Sequence, residues 1–260
     1  MENVLWELRS DKVLAELKNG KRIDGRALDE YRQIKIIKNI SENAEGSARV
    51  VLGETEVIVG VKILPSEPFP DMQDQGTISV GAELLPLASP SFEAGPPNEN
   101  SIELARVVDR SIRESKALDF KKLCIREKEK VWTVFIDMYA LSYAGNLFDA
   151  CSLAAVASLI DAKVPKLDKE DKIVKGEFAG KLKMERKPLL STFAKLGSSI
   201  VLDPDLAEEK AMSARFSLST TEDDFMSAFQ KGGHGSFTAK EIDEAIDTAF
   251  KRGKQLRKLL

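Results

Sequence analysis

One histidine, His234, and two cysteines, Cys124 and Cys151, are all that 260 residues offer of the side chains most used as metal ligands and nucleophiles. A metal centre needs several convergent ligands, and His234 has neither a carboxylate nor a cysteine at ligand spacing, so no metal site is expected. Two cysteines are too few for a disulfide framework. Both sit among apolar neighbours and read as reduced core thiols of an intracellular chain. Long apolar runs are also missing. None approaches the roughly 18 residues of a membrane span, and MENVLWELRSDKVLAELKNG lacks the uninterrupted apolar core of a secretion signal. The expectation is a cytoplasmic chain with no membrane contact. Positive charge is not in excess either, since 39 Lys and Arg are set against 42 Asp and Glu, for a net charge of −3. A chain so balanced grips a polyanion only through a local patch.

One stretch provides such a patch. In NSIELARVVDRSIRESKAL (100–118), Arg106, Arg110 and Arg113 fall at i, i+4 and i+7, opposite Ile102, Ala105, Val108 and Ile112. Taken alone, the stripe reads as a solvated helix face with Asp109 and Glu114 as local partners. No phosphate-loop lysine and no metal-ligand cluster accompanies it, so the chain reads as a holder of its ligand, with no self-sufficient reaction centre.

Around the stripe, the pattern alternates between strand and helix. An amphipathic helix opens the chain, with Val4, Leu5, Leu8, Val13, Leu14 and Leu17 at helical spacing before Asn19-Gly20. Gly53-Glu54 suits a tight turn between two extended arms, and Thr55, Val57, Val59, Val61 and Ile63 alternate onto one face. Residues 65–100 hold seven of the ten prolines and read as a long loop carrying two short strands, Thr77–Val80 and Glu83–Leu87. VWTVFIDMYAL (131–141) reads as a central strand, and a helix apolar nearly all round follows from Asn146 to Ile160. Further strands are expected at Pro188–Phe193, Ser198–Leu202 and Ala214–Ser219. A last helix starts at Thr238 with Glu241 as its capping-box partner and Ile242, Ala245, Ile246, Ala249 and Phe250 on its apolar face. This order predicts an α/β (α+β) fold of two sheet-and-helix halves.

Several other features read as structural. KGGHGSF (231–237) lacks the lysine-hydroxyl ending of a phosphate loop and reads as a turn before the last helix, with His234 exposed in it. The acidic TEDD (221–224) reads as a solvated loop, and Trp6 and Trp132 as core or interface residues. The basic KRGKQLRKLL ending suits a helix C-terminus.

RIDGR (22–26), GSARVVLGETEVIVGVK (46–62), FEAGPPNENSIELARVVDRSIRESKALD (92–119), GNLFDACSLAAVASL (145–159) and VLDPDLAEE (201–209) together resemble the RNase PH family. The likeness covers nearly the whole chain and is narrowest to the non-catalytic RNase-PH-like subunits of the archaeal exosome. It implies an N-terminal helix and lead-in (1–25), a first RNase PH-like unit (26–165) and a second with the C-terminal helix (166–260). It also implies a six-membered ring in which the chain alternates with a catalytic RNase-PH-like subunit, together with RNA-binding cap proteins and single-stranded RNA. In that setting Arg106, Arg110 and Arg113 become RNA-binding residues. The chain itself holds no cofactor, and phosphate with magnesium is expected at the partner's site.

Departures from the active members fit this assignment. Where those carry a glycine-rich turn with an arginine and a hydroxyl residue for phosphate, this chain has Ala144-Gly145-Asn146-Leu147-Phe148-Asp149. Where they carry an acidic residue, the resemblance puts Arg215. No catalytic residue is therefore expected. Asp203, Asp205, Glu208 and Glu209 remain nearby and leave a second reading open, a phosphorolytic exoribonuclease active by itself as a homohexamer. A third, a nucleotide-binding enzyme using glycines 232–235, has the least behind it.

Overall fold

The computed structural model describes residues 2–260, with side chains from Arg9 onward, so Trp6, Val4, Leu5 and Leu8 lie outside the described side chains. Helix α1 (Glu2–Lys18) leads into a six-stranded sheet made from β1 (Ile34–Lys38), β2 (Gly46–Leu52), β3 (Thr55–Ser66), β4 (Thr77–Leu84), β5 (Cys124–Arg126) and β6 (Lys130–Ser142). The spatial order is β1-β2-β3-β6-β4, with β5 beside β6. Only β4 and β6 pair in parallel, and parallel neighbours need a crossover. Helix α2 (Glu99–Glu114), which carries the arginine stripe, is that crossover.

The β2–β3 hairpin forms as its sequence predicts. Gly53 takes φ +60° in the two-residue turn, and Thr55, Val57, Val59, Val61 and Ile63 are fully buried. Val57, Val59, Val61 and Ile63 stand against Ala140, Met138, Ile136 and Val134 of β6. Helix α3 (Leu147–Asp161) is buried from Leu147 through Leu159, as an all-round apolar helix must be. It packs between the first sheet and β9 of the second. Trp132 lies in the same core.

After α3 comes the hairpin β7 (Lys163–Leu167) and β8 (Ile173–Lys181), followed by the second large sheet. That sheet follows the order β10-β9-β11-β12, from β9 (Leu189–Leu196), β10 (Ser199–Leu202), β11 (Ala214–Thr220) and β12 (Met226–Gly233). Helix α4 (Leu206–Ala211) links β10 to β11, and α5 (Ala239–Arg257) covers the sheet with Ala245 and Ala249 fully or nearly buried. The capping box of Thr238 and Glu241 forms at the start of α5. Among the described residues, no helix is long and apolar enough to cross a membrane.

Two sequence expectations need correction here. Glu83–Leu87 is not a separate strand: β4 runs unbroken from Thr77 to Leu84, because Gly81 and Ala82 continue the ladder with Asp137 and Met138. KGGHGSF is not wholly a turn, since Lys231, Gly232 and Gly233 pair with Phe216, Arg215 and Ala214 as the end of β12. His234 is exposed just beyond them. TEDD is the solvated β11–β12 turn expected, with Glu222, Asp223 and Asp224 exposed and surface ion pairs from Asp223 to Arg186 and from Asp224 to Lys254. Cys151 is buried, which pushes its thiol up to about 12, and Cys124 is half-buried.

Candidate nucleic-acid interface and the adjoining pocket

Helix α2 starts where Asn98 accepts a hydrogen bond from the Ser101 N–H at 3.0 Å. Its buried face is Ser101, Leu104, Val107, Val108, Ser111 and Ile112, and it packs on β4 and β12. Ile102 is therefore not on the packed face as expected, but 44% exposed. The reason is the serines: Ser111 Oγ shares a 2.7 Å hydrogen bond with Ser219 Oγ of β11, so small polar residues, not Ile102, meet the second sheet.

The three arginines are in different states. Arg106 is exposed and has no hydrogen bond or ion pair among the described residues. Arg110 is exposed and donates through Nη2 to the Phe229 carbonyl of β12 at 2.7 Å, leaving its other nitrogens open to solvent. Arg113 is half-buried: Nη2 and Nε donate to the Asp109 carboxylate at 2.8 and 3.0 Å, and Nη2 also donates to the Ile78 carbonyl at 3.1 Å. Its guanidinium lies 5.6 Å from the Phe120 ring centroid. Arg106 and Arg110 thus present free donors for an anion, and Arg113 has its charge already matched.

At the N-terminal end of α2 is a cavity of about 250 Å³, lined by Asn100, Glu103, Tyr143, Phe148, Glu209 and Arg215 among others. The Arg215 guanidinium sits 4.1 Å from the Phe148 ring centroid and donates to Glu103 Oε1 at 2.5 Å. Its Nε is buried without a partner. Leu147 and Phe148, at the first turn of α3, are buried. Neither offers a side-chain group to phosphate, and the residue that might have been an acid is a stacked, paired arginine.

The remaining carboxylates are occupied. Asp203 is fully buried and accepts five hydrogen bonds. Oδ2 receives Arg26 Nη1, Arg32 N–H and Arg32 Nε, each at 2.9 Å, while Oδ1 receives Arg32 Nη2 at 2.8 Å and Asn146 Nδ2 at 2.7 Å. Burial works against the Arg32 charge, but the bond and charge of Asp203 outweigh it and hold the guanidinium above its ordinary value. Asp205 caps α4, and Glu208 is paired with Arg22 at 2.5 Å. Glu209 accepts from Tyr143 OH at 2.5 Å and from the Asn146 N–H at 2.7 Å. Burial raises its carboxyl above the ordinary range, against the pull of these donors. Among the described residues, no three His, Cys, Asp or Glu side chains are grouped to hold a metal ion.

Backbone geometry fixes this arrangement. Gly145 has φ +96°, and a Cβ there would lie 2.5 Å from the Asp205 carbonyl carbon. Asn146 follows at φ 56° and caps α3 by accepting from the Asp149 N–H. Asn146 and Asp149 have the spacing of a capping pair, but the Asp149 side chain does not bond back to the Asn146 N–H, which goes to Glu209. The Asp149 carboxylate turns inward to accept from Tyr31 OH, Asn146 Nδ2, Thr192 N–H and Thr192 Oγ1. Burial pushes its carboxyl up to about 6. Sequence reading missed this cluster and Glu103. A signal for Glu103 was present in its spacing, an acid three residues before Arg106 on the same helix.

Two sheet-and-helix units sharing an interior helix, with a pocket at that helix's start, define an RNase-PH-type scaffold. The model of the 3′ exoribonuclease family, domain 1, matches residues 30–165, and that of domain 2 matches residues 188–252. The chain belongs to the RNase PH family. Exosome complex component Rrp42 of Thermococcus gammatolerans is 50% identical over 260 residues, spanning 99% of this chain and 95% of that protein. Among solved structures, a chain of an Archaeoglobus fulgidus exosome with RNA bound to the active site superposes with a TM-score of 0.93 at 47% identity, covering 98% of both chains. A chain of an archaeal exosome core gives a TM-score of 0.88 at 42% identity, covering 98% of this chain and 97% of the other.

Proposed function

We propose that this chain is the non-catalytic subunit of an archaeal-type exosome ring, alternating with a catalytic RNase-PH-like subunit in a hetero-hexamer in the cytoplasm. Its relatives are exosome components, one of them in a structure with RNA at the active site. The observation that carries the reading is Arg215, stacked on Phe148 and paired with Glu103, in a pocket whose carboxylates are all engaged. Such a pocket has no free carboxylate left to act as an acid in phosphorolysis, and its cations are Arg215, already paired with Glu103, and Lys210 at its edge. The homohexamer reading requires Asp203, Asp205 or Glu209 as that acid, and each already accepts from fixed donors.

In the proposed division of labour, inorganic phosphate attacks the terminal phosphorus of the RNA at the partner's site. The bond to the penultimate 3′ oxygen breaks, and a nucleoside diphosphate leaves. Phosphate and magnesium belong to that site, where a cation offsets the gathered negative charge. This chain holds the incoming single strand. Arg106 and Arg110 offer guanidinium forks to phosphate oxygens, a contact that fixes register without reading bases. Arg113 joins them only by giving up part of its pairing with Asp109. RNA-binding cap proteins on the ring deliver the strand.

The test is phosphate-dependent degradation of a single-stranded RNA by this chain, by the catalytic partner and by the two mixed. Strong activity only in the mixture, with RNA capture lost in the Arg106→Glu, Arg110→Glu variant while the ring stays intact, is the expected result. Release of nucleoside diphosphates by this chain alone overturns the reading.

A further inference from the structure

Arg215 lies on β11 and Glu103 on α2, so their 2.5 Å ion pair ties the second unit to the helix that carries the stripe. Gln230 of β12 reaches the same Glu103 oxygen at 3.5 Å. Glu103 is also one helical turn from Arg106, at the i, i+3 spacing where opposite charges ordinarily pair. They do not pair here. Arg106 has no partner among the described residues, and Glu103 is turned to Arg215.

We propose that Arg215 is a positioning residue for RNA binding: by holding the Glu103 carboxylate, it keeps Arg106 unpaired and available to an RNA phosphate. This rests on the RNA-holding reading above. Arg215 itself is 12% exposed, is stacked on Phe148 and faces the pocket, not the outer face of α2. If its charge is removed, Glu103 is free to swing to Arg106, which lies one turn along α2 and has no partner among the described residues, and Arg106 is neutralised before RNA arrives. The Arg215 side chain then acts on RNA without touching it. Arg110 is insulated from this exchange by its bond to the Phe229 carbonyl, and Arg113 by Asp109.

The experiment measures binding of a fluorescent single-stranded RNA to the assembled ring without phosphate, across a salt series. Arg215→Gln keeps bulk over Phe148 and is expected to weaken binding roughly tenfold, matching Arg106→Ala, as loss of one charge-assisted phosphate contact does. The slope of log affinity against log salt should become shallower by about 0.7, the single-strand value for one phosphate contact. Adding Glu103→Gln to Arg215→Gln should restore both affinity, to within about twofold, and slope, because no carboxylate is left to capture Arg106. A purely structural brace is equally broken in the single and double variants, so it predicts no rescue. Absence of rescue, or no effect of Arg215→Gln, overturns the proposal. If Arg106→Ala also leaves binding unchanged, the RNA-holding reading falls with it.

Discussion

Asp203 is the most connected carboxylate among the described residues, and its replacement is the sharpest test of how the two units are joined. It is fully buried, and Arg26 and Arg32, each 11% exposed, converge on it. Removing one member of a buried ion pair leaves the other charge desolvated, at about 3–5 kcal/mol. For a chain of this length, each kcal/mol lowers the melting temperature by roughly 2–4 °C, so Asp203→Ala should lower it by roughly 10 °C. Asp203→Asn is the more telling variant. Five donors meet the two oxygens, two on Oδ1 and three on Oδ2, so an amide nitrogen in either position opposes at least two of them. The isostere should therefore be about as harmful as alanine. Thermal unfolding followed by circular dichroism gives the answer. A shift under about 2 °C for Asp203→Asn would refute the claim that this network fastens Arg26 and Arg32 to the second unit.

Other consequences are equally direct. Burial holds the Asp149 carboxyl near 6 in the folded chain against an ordinary 3.8, so the folded state binds that proton more tightly. Its stabilising contribution is fully present below about 4 and is lost as pH rises through about 6, amounting to about 3 kcal/mol. Asp149→Asn should flatten that part of a stability-against-pH curve, and an unchanged curve would exclude Asp149 as its source. Gly145→Ala should destabilise by more than about 2 kcal/mol in denaturant titration, because φ +96° and the nearby Asp205 backbone both oppose a Cβ. Arg106→Glu with Arg110→Glu should reduce the salt slope of RNA binding by at least roughly 1.4, two single-strand phosphate contacts. A slope unchanged in filter binding would remove the stripe from the interface.

What was legible in the sequence was whatever rested on local periodicity or a local cap. The β2–β3 hairpin, the all-apolar α3 and the capping box of α5 all follow from residues within one or two turns of each other. β12 was not legible, because Met226 to Gly233 has exposed Phe229 and two glycines where a strand pattern should alternate. The β7–β8 hairpin was hidden for a related reason: β8 is exposed along nearly its whole length, so no apolar face marks it. The loop carboxylates looked free because their partners, Arg22, Arg26 and Arg32, are about 170 to 190 residues away in sequence. The motif RIDGR supplied a family likeness without saying that Arg22 and Arg26 close onto Glu208 and Asp203.

The same distinction bears on the arginine stripe. Spacing alone places Arg106, Arg110 and Arg113 on one face, and by that measure they are equivalent. Tertiary contacts make them unequal: Asp109 saturates Arg113, the β12 edge anchors Arg110, and the capture of Glu103 by Arg215 leaves Arg106 alone. Two of these three influences come from the second unit, across strands β11 and β12. The charge available to a ligand is therefore set by how the two units pack, not by α2. Arg215, stacked on Phe148 and paired with Glu103, is the residue through which that packing reaches the stripe. On the positioning proposed above, a substitution at Arg215 or Phe148, which line the pocket and not the outer face of α2, changes RNA affinity while every arginine of the stripe remains in place.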